Sequence, residues 1–246
     1  MSAGLAVGGI TVVRGKAVVV RKVSLAVPPG TVSLVIGPNG SGKSSLLAGI
    51  SGSLKAASGR ICLDDRDITR APRWQRARMG LCHVEQGRPV FGGLTVRGNL
   101  SVVSRDRAGT DRSLELFPEL GRHLDTRAEL LSGGEQQMLV LARALACRPR
   151  VILVDEMSLG LAPVIVTRLI EAVRALADDG LAVLLVEQFA QLALGVSDRA
   201  YVLSGGCFTY SGDASSLLAH PGLLRSAYLG DTREATSTGG SGQEGE

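Results

Sequence analysis

Residues 37 to 44 read Gly-Pro-Asn-Gly-Ser-Gly-Lys-Ser, matching the phosphate-loop spacing G-x-x-x-x-G-K-S in full. Glycines leave backbone N–H groups uncovered and let the chain curl around an anion. Gly37, Asn39, Gly40, Ser41, Gly42, Lys43, Ser44 and Ser45 are therefore candidate phosphate contacts, with the N–H groups of Asn39 to Ser45 as the cradle. Lys43 is placed to reach the β and γ oxygens and Ser44 to ligate Mg2+. Much further along, Asp155 and Glu156 follow the apolar run Val151 to Val154. Asp155 at the end of such a strand could hold Mg2+ through its water shell, and Glu156 could orient and deprotonate an attacking water. Paired acids there could equally cap a helix, but the phosphate loop upstream favours the metal and water roles. Ser132, Gly133, Gly134 and Glu135 open an apolar, helix-forming stretch. Uncovered N–H groups, a hydroxyl and the helix dipole make a second anion surface, or simply a glycine-containing helix cap. Two phosphate surfaces in one chain suggest a nucleotide clamped between two copies.

Strands and helices must hold these groups in place. Ile10, Val12, Val13, Val18, Val19, Val20, Val23 and Val27 are β-branched and predict two or three antiparallel strands between Gly9 and Val27. A strand over Val32 to Ile36 feeds the phosphate loop, and a helix follows over Ser45 to Ile50. Further strands are predicted near Arg60 to Leu63, Gly80 to Val84, Val151 to Val154, Leu181 to Val186 and Arg199 to Leu203. Ser204-Gly205-Gly206 turns the last of these into a hairpin with Cys207 to Tyr210. The glycine- and arginine-bearing stretch from about 92 to 130 has short helical patterns, such as Ser113 to Leu116, and reads as an inserted helical lobe. A helix runs from the Gly133–Gly134 pair through Ala146, another opens at Pro163 and ends by Asp178-Asp179-Gly180, and a third covers Phe189 to about Gly195. The alternation predicts an α/β fold.

Length and composition bound the rest. At 246 residues and 45% hydrophobic, the chain can bury a real core as one large domain. No run approaches the roughly 18 apolar residues of a membrane helix, and the first twenty lack a leader pattern. Cys62, Cys82, Cys147 and Cys207 are too scattered for a zinc site or disulfide framework. Net charge is +4, but residues 231 to 246 hold four acids against one arginine, so the rest carries +7. That excess is dispersed, and with only 3% aromatic residues no stacking surface for nucleic acid is expected. The tail from Ala235 is low-complexity and reads as disordered.

Leu131-Ser-Gly-Gly-Glu-Gln-Gln137 resembles the signature motif of the ATP-binding-cassette (ABC) ATPases. Gln86, ahead of Phe91-Gly-Gly-Leu-Thr-Val-Arg-Gly-Asn-Leu100, resembles the glutamine of that family's Q-loop. The likeness implies a P-loop NTPase of the ABC cassette type: a mixed sheet core, an antiparallel β subdomain and an inserted α-helical subdomain over about 87 to 146, in one domain over residues 1 to 230. It makes Glu156, Gln86, Gln188 and Lys43 the expected catalytic set and Ser44, Gln86 and Asp155 the expected Mg2+ set. ATP is the implied nucleotide, closed over by Ser132, Gly133, Gly134 and Glu135 of a second subunit.

Three positions depart from the general pattern. Gln188 stands where most members carry a switch histidine; it can hydrogen-bond a phosphate but cannot become a cation. Arg14 stands where an aromatic usually stacks on adenine, and its guanidinium plane could do the same. Ser158-Leu-Gly-Leu-Ala-Pro163 replaces the usual dimer-contacting loop. Leu153-Val-Asp-Glu-Met-Ser-Leu-Gly-Leu-Ala-Pro163, Val186-Glu187-Gln188, Gly87-Arg88-Pro-Val-Phe91 and Ala227-Tyr-Leu-Gly230 together resemble the smaller ATP-binding subunit of branched-chain (hydrophobic) amino-acid importers. The resemblance implies a peripheral protein on the cytoplasmic face of the membrane. Its partners would be a second ATP-binding subunit, two permease subunits gripped by the inserted lobe and, indirectly, an extracytoplasmic solute-binding protein. Urea, amides or another small solute remain alternatives, as do a soluble ABC protein and a poorly hydrolysing regulatory subunit.

Overall fold

The computed structural model describes residues 4–87, 89–103, 107–188 and 190–229. The predicted disordered tail and the positions Arg88, Phe189 and Gly230 lie outside them.

Alternating burial builds the first sheet. In β1 (Leu5–Arg14) and β2 (Ala17–Val27) the side chains of Val7, Ile10, Val12, Val20, Val23, Leu25 and Val27 point inward while their neighbours face solvent. A two-residue turn at Gly15-Lys16 joins them, with Arg14 exposed opposite Ala17. β4 (Ala56–Leu63) pairs antiparallel with β1, and β5 (Arg66–Asp67) completes the order β2-β1-β4-β5.

A second sheet runs in the order β10-β9-β3-β8-β7-β6. Its strands are β3 (Val32–Ile36), β6 (Leu81–Val84), β7 (Val151–Asp155), β8 (Ala182–Val186), β9 (Arg199–Ser204) and β10 (Cys207–Asp213). All pairings are parallel except β9 with β10. β3, β7 and β8 are buried at every residue because both faces of a parallel sheet are covered, so they read as largely apolar runs, with Ser33 inside β3 and Asp155 closing β7. The hairpin β9–β10 extends this core sheet and does not join the first one.

Helix α1 (Lys43–Ser51) is wedged between the sheets, with Leu46, Leu47 and Ile50 packed among Val12 and Ile61 of one and Val35, Leu153 and Leu184 of the other. Its C-terminal carbonyls are held by Arg76 of α2 (Arg73–Arg78), whose buried guanidinium donates to Gly49 O at 3.0 Å and Ile50 O at 2.6 Å as well as to Ala71 O and Thr69 O. Arg76 is thus an internal strut among the otherwise exposed Arg66, Arg70, Arg73 and Arg78, a role the composition does not announce.

On the opposite face lies α7 (Pro163–Asp178), burying Val166, Leu169, Ile170, Val173 and Leu176 at helical spacing. Between β6 and β7 come α3 (Val96–Val103), α4 (Arg107–Leu116), α5 (Pro118–Gly121) and α6 (Gly133–Ala146). α4 begins six residues before the pattern at Ser113, and the Ser113 hydroxyl bonds it to α6 at Ala142 O, 2.9 Å. Leu100, Phe117, Leu120 and Met138 of this region join one apolar cluster with Ile152 and Val173, so these helices share the core of the sheet. α8 (Ala190–Val196), α9 (Ala214–Ala219) and α10 (Pro221–Leu229) complete the described chain; the last two were not predicted.

Candidate functional site

The phosphate loop sits where β3 ends and α1 begins, against main chain on two sides. A Cβ at Gly37 would run into the Leu203 carbonyl oxygen of β9. At Gly42, φ is +108° and a Cβ would lie 2.6 Å from the Val19 carbonyl oxygen of β2. Only glycine satisfies both the conformation and the approach at that position. From the far end of the chain, Tyr228 of α10 brings its hydroxyl to the Gly37 backbone; burial raises this phenol's pKa and that hydrogen bond lowers it in part.

Lys43, 4% exposed, is aimed inward. Its Nζ donates to Gly37 O at 2.9 Å and Pro38 O at 3.3 Å, and lies 3.6 Å from Glu156 Oε1. The Ser44 hydroxyl donates to Asp155 Oδ1 at 3.3 Å, and Gln86 Nε2 donates to Glu156 Oε2 at 3.1 Å. Residues 43, 86 and 156 form one polar group and 44 and 155 a second, set side by side by the chain neighbours 43/44 and 155/156 at the C-terminal edge of the parallel sheet, where open α/β folds place ligands. The acids cap no helix, since α7 begins only at Pro163.

Glu156 has φ of +43°, an uncommon conformation for a side chain with a Cβ. Its N–H donates to Val186 O at 2.9 Å, continuing the β7–β8 ladder by one residue. Two residues later Ser158 meets Glu187, a carboxylate with no exposure at all. Glu187 accepts from Ser158 N–H at 3.2 Å, from the Ser158 hydroxyl, and from Gln188 N–H at 3.2 Å. Burial pushes the Glu187 pKa up, those donors pull it back, and the Glu156 charge adds to the rise. Gln188 itself is exposed beside this site.

Ser132 and Glu135 form a reciprocal capping box at the start of α6: Ser132 Oγ accepts from Glu135 N–H at 3.3 Å, and Glu135 Oε2 accepts from Ser132 N–H at 2.8 Å. The Ser132 hydrogen bonds hold the Glu135 carboxyl below its usual range. Gly134 packs against Ile165 of α7. Among the described residues no hydrogen bond or ion pair links this group to the Lys43 cluster. Arg14, on the β1–β2 turn, is likewise outside the cluster.

Burial is the largest influence on Asp155, lifting its pKa to about 6, against the opposing Ser44 hydrogen bond. Ser44 and Asp155 offer hard oxygen donors, and a buried carboxylate short of positive charge fits Mg2+. The same burial predicts a stability effect. Below the unfolded value near 3.8 both states are protonated; between there and about 6 the folded state stays neutral as the unfolded one ionises, so stability falls as pH rises. Above that window the ionised Asp155 costs the nucleotide-free fold about 1–3 kcal/mol. Asp155→Asn is expected to raise the melting temperature in chelator at pH 7.5 by several degrees, with no gain at pH 3.5. An unchanged melting point at pH 7.5 counts against this account.

Comparison with known proteins follows the same lines. The ABC transporter family model matches residues 20–158, a span containing the phosphate loop, Gln86, the Ser132–Glu135 group, Asp155 and Glu156. The chain belongs to the ABC transporter family. It is 41% identical to the high-affinity branched-chain amino acid transport ATP-binding protein BraG of Pseudomonas aeruginosa, over 88% of this chain and 95% of that one. Identity is 39% with the probable branched-chain amino acid transport ATP-binding protein LivF of Archaeoglobus fulgidus, over 77% and 84%. The lipopolysaccharide export system ATP-binding protein LptB of Escherichia coli is 35% identical over 87% and 91%. Among solved structures, the ADP conformation of the ABC transporter cassette MJ1267 superposes with a TM-score of 0.82 at 27% identity, covering 94% of this chain and 99% of that one. The expected α/β cassette fold and the ATP-hydrolysing activity follow from this membership. Among the described residues of this ABC cassette, no helix is long and apolar enough to cross a membrane.

Sequence reasoning missed Glu187 and Tyr228 beside the site. For Glu187 a signal existed: an acid directly after a wholly apolar, buried strand must find donors.

Proposed function

We propose that this ABC cassette hydrolyses Mg2+-bound ATP to drive uptake of branched-chain or related hydrophobic amino acids. The adjacent pairings Lys43–Glu156–Gln86 and Ser44–Asp155 carry the hydrolytic reading; the likeness to BraG and LivF supports the solute.

In this reading the loop from Gly37 to Ser45 cradles the phosphates. Lys43 exchanges its bonds to Gly37 O and Pro38 O for β and γ oxygens. Ser44, Asp155 and Gln86 hold the Mg2+, which when bound neutralises charge on the transferring phosphoryl group. Glu156 accepts the proton of the attacking water while Gln86 fixes the carboxylate's orientation. Gln188 hydrogen-bonds the γ-phosphate without gaining charge. Arg14 supplies a plane against adenine. Ser132, Gly133, Gly134 and Glu135 complete the site of a second ATP-binding subunit, so an isolated chain turns over slowly. The inserted helices, about 87 to 146, grip two membrane permeases at the cytoplasmic face, and an extracytoplasmic binding protein delivers solute.

The likeness to LptB favours export of a lipid as the rival. The complex with its permeases and binding protein, reconstituted in proteoliposomes, separates the two. Leucine, isoleucine or valine is expected to stimulate ATP turnover severalfold. Stimulation by lipopolysaccharide, urea or amides, with none by these amino acids, would overturn the assignment.

A further inference from the structure

The β7 and β8 strands end side by side, and the chain leaves each in a different direction. Asp155 pairs with Val186, and Glu156 N–H reaches back to Val186 O. Asp155 with Val186 is the last pair of the β7–β8 ladder. A side chain takes over: the Glu187 carboxylate, wholly enclosed, accepts both the N–H and the hydroxyl of Ser158 and the N–H of Gln188.

We infer that Glu187 is a positioning residue for hydrolysis, fixing Glu156 and Gln188 relative to each other by anchoring Ser158. Glu156 sits between two anchors, Val186 O on its own N–H and Glu187 on the residue two positions on. Its φ of +43° is a conformation an unconstrained chain leaves readily, at a saving of about 1–3 kcal/mol. Held there, its carboxylate meets Gln86 and Lys43. Released, it swings away from the water it must activate. On the other side, Gln188 follows Glu187 directly and shares the same carboxylate through its N–H. One buried group therefore sets the spacing of the proton acceptor and the γ-phosphate contact. Ser158 also adjoins exposed Leu159, so movement of that loop bears on the Ser158–Glu187 bonds and, through them, on Glu156.

The inference rests on Glu156 as the carboxylate that activates water. The experiment uses the full chain and measures steady-state ATP turnover and melting temperature for Glu187→Leu, Glu187→Gln, Ser158→Ala and Glu156→Gln. Glu187→Leu removes all three acceptances and is expected to lower kcat by about 10–100-fold, with KM within about threefold of the parent. Glu187→Gln can keep an oxygen at the Oε1 position for the Ser158 N–H and turn its amide to donate to the Ser158 hydroxyl, so the Ser158 anchor survives while the Gln188 N–H loses its acceptor. It is expected to restore kcat to within about threefold. Should Glu187→Leu not fold, Glu187→Gln and Ser158→Ala decide, the latter expected to cost about three- to tenfold in kcat. Parent-like kcat in Glu187→Leu or Ser158→Ala overturns the inference. So does a higher KM at unchanged kcat, or a folded Glu187→Gln as slow as Glu187→Leu. If Glu156→Gln keeps parental turnover, the failure lies in the reading of Glu156 and not in Glu187.

Discussion

Glu156→Gln is expected to reduce ATP turnover by about two to four orders of magnitude while ATP still binds. Gln matches Glu in shape, and its amide oxygen can still accept from Gln86 Nε2, as Glu156 Oε2 does now at 3.1 Å. What it loses is the capacity to take a proton from water. The ion pair with Lys43 Nζ at 3.6 Å also disappears, which frees the ammonium for phosphate and opposes any loss of affinity. ATP should therefore accumulate unhydrolysed and hold two subunits together. Turnover under saturating ATP and elution volume with and without ATP measure the two halves of this statement. Parental turnover would remove Glu156 from the role of base, and an ATP-independent elution volume would remove the clamp.

Lys43→Met is the second large effect, and its signature is different. Lys43 is buried beneath the loop and donates to two of its carbonyls, so the charge is stored facing the phosphate site with its desolvation already met by Gly37 O, Pro38 O and Glu156. Methionine fills similar space but leaves those carbonyls without a donor and the β and γ oxygens without a counter-charge. Charge-assisted bonds of this kind contribute about 1.5–3 kcal/mol, or roughly 10–100-fold in ATP affinity. Loss of transition-state charge stabilisation brings turnover down by a further factor of about 100 or more. Equilibrium ATP binding and turnover give both figures. An affinity equal to the parent's would mean the main-chain cradle holds the phosphates without the lysine. Glu156→Gln and Lys43→Met thus separate by binding: the first retains ATP, the second releases it.

Much of this arrangement is legible in the order of residues, for reasons that differ from place to place. The phosphate loop is local, and its glycines and lysine act within eight consecutive positions, so its spacing alone declares it. β3, β7 and β8 show as apolar runs because both of their faces are covered. Pro163 marks the start of α7 because a residue without an N–H loses nothing at a helix's first position. Arg76 gives no such sign. It lies in a run of exposed arginines, and what distinguishes it is a set of carbonyls 26 and 27 residues upstream. Glu187 and Ser158 stand 29 residues apart, and their contact exists only because β7 and β8 are neighbours. α9 and α10 are short, six and nine residues, with little periodicity to read, and they gain order from packing on β9 and β10. The Ser132 group is a helix cap in this chain, as the glycine-containing helix start allowed, and its hydroxyl hydrogen is not used by the capping bond.

The position of β3 between β8 and β9 also sets a schedule for the protein's own making. β3 and the phosphate loop leave the ribosome early, but the neighbours that flank β3 are encoded about 150 residues later. At about 5–20 residues per second, the apolar β3 waits roughly 7 to 30 s for its first partner. Tyr228, which touches Gly37, arrives later still. The earliest-written part of the site is thus the last to be seated. A nascent chain has no competent nucleotide cradle until synthesis is almost over, and in that interval an uncovered apolar strand is the segment most in need of a chaperone.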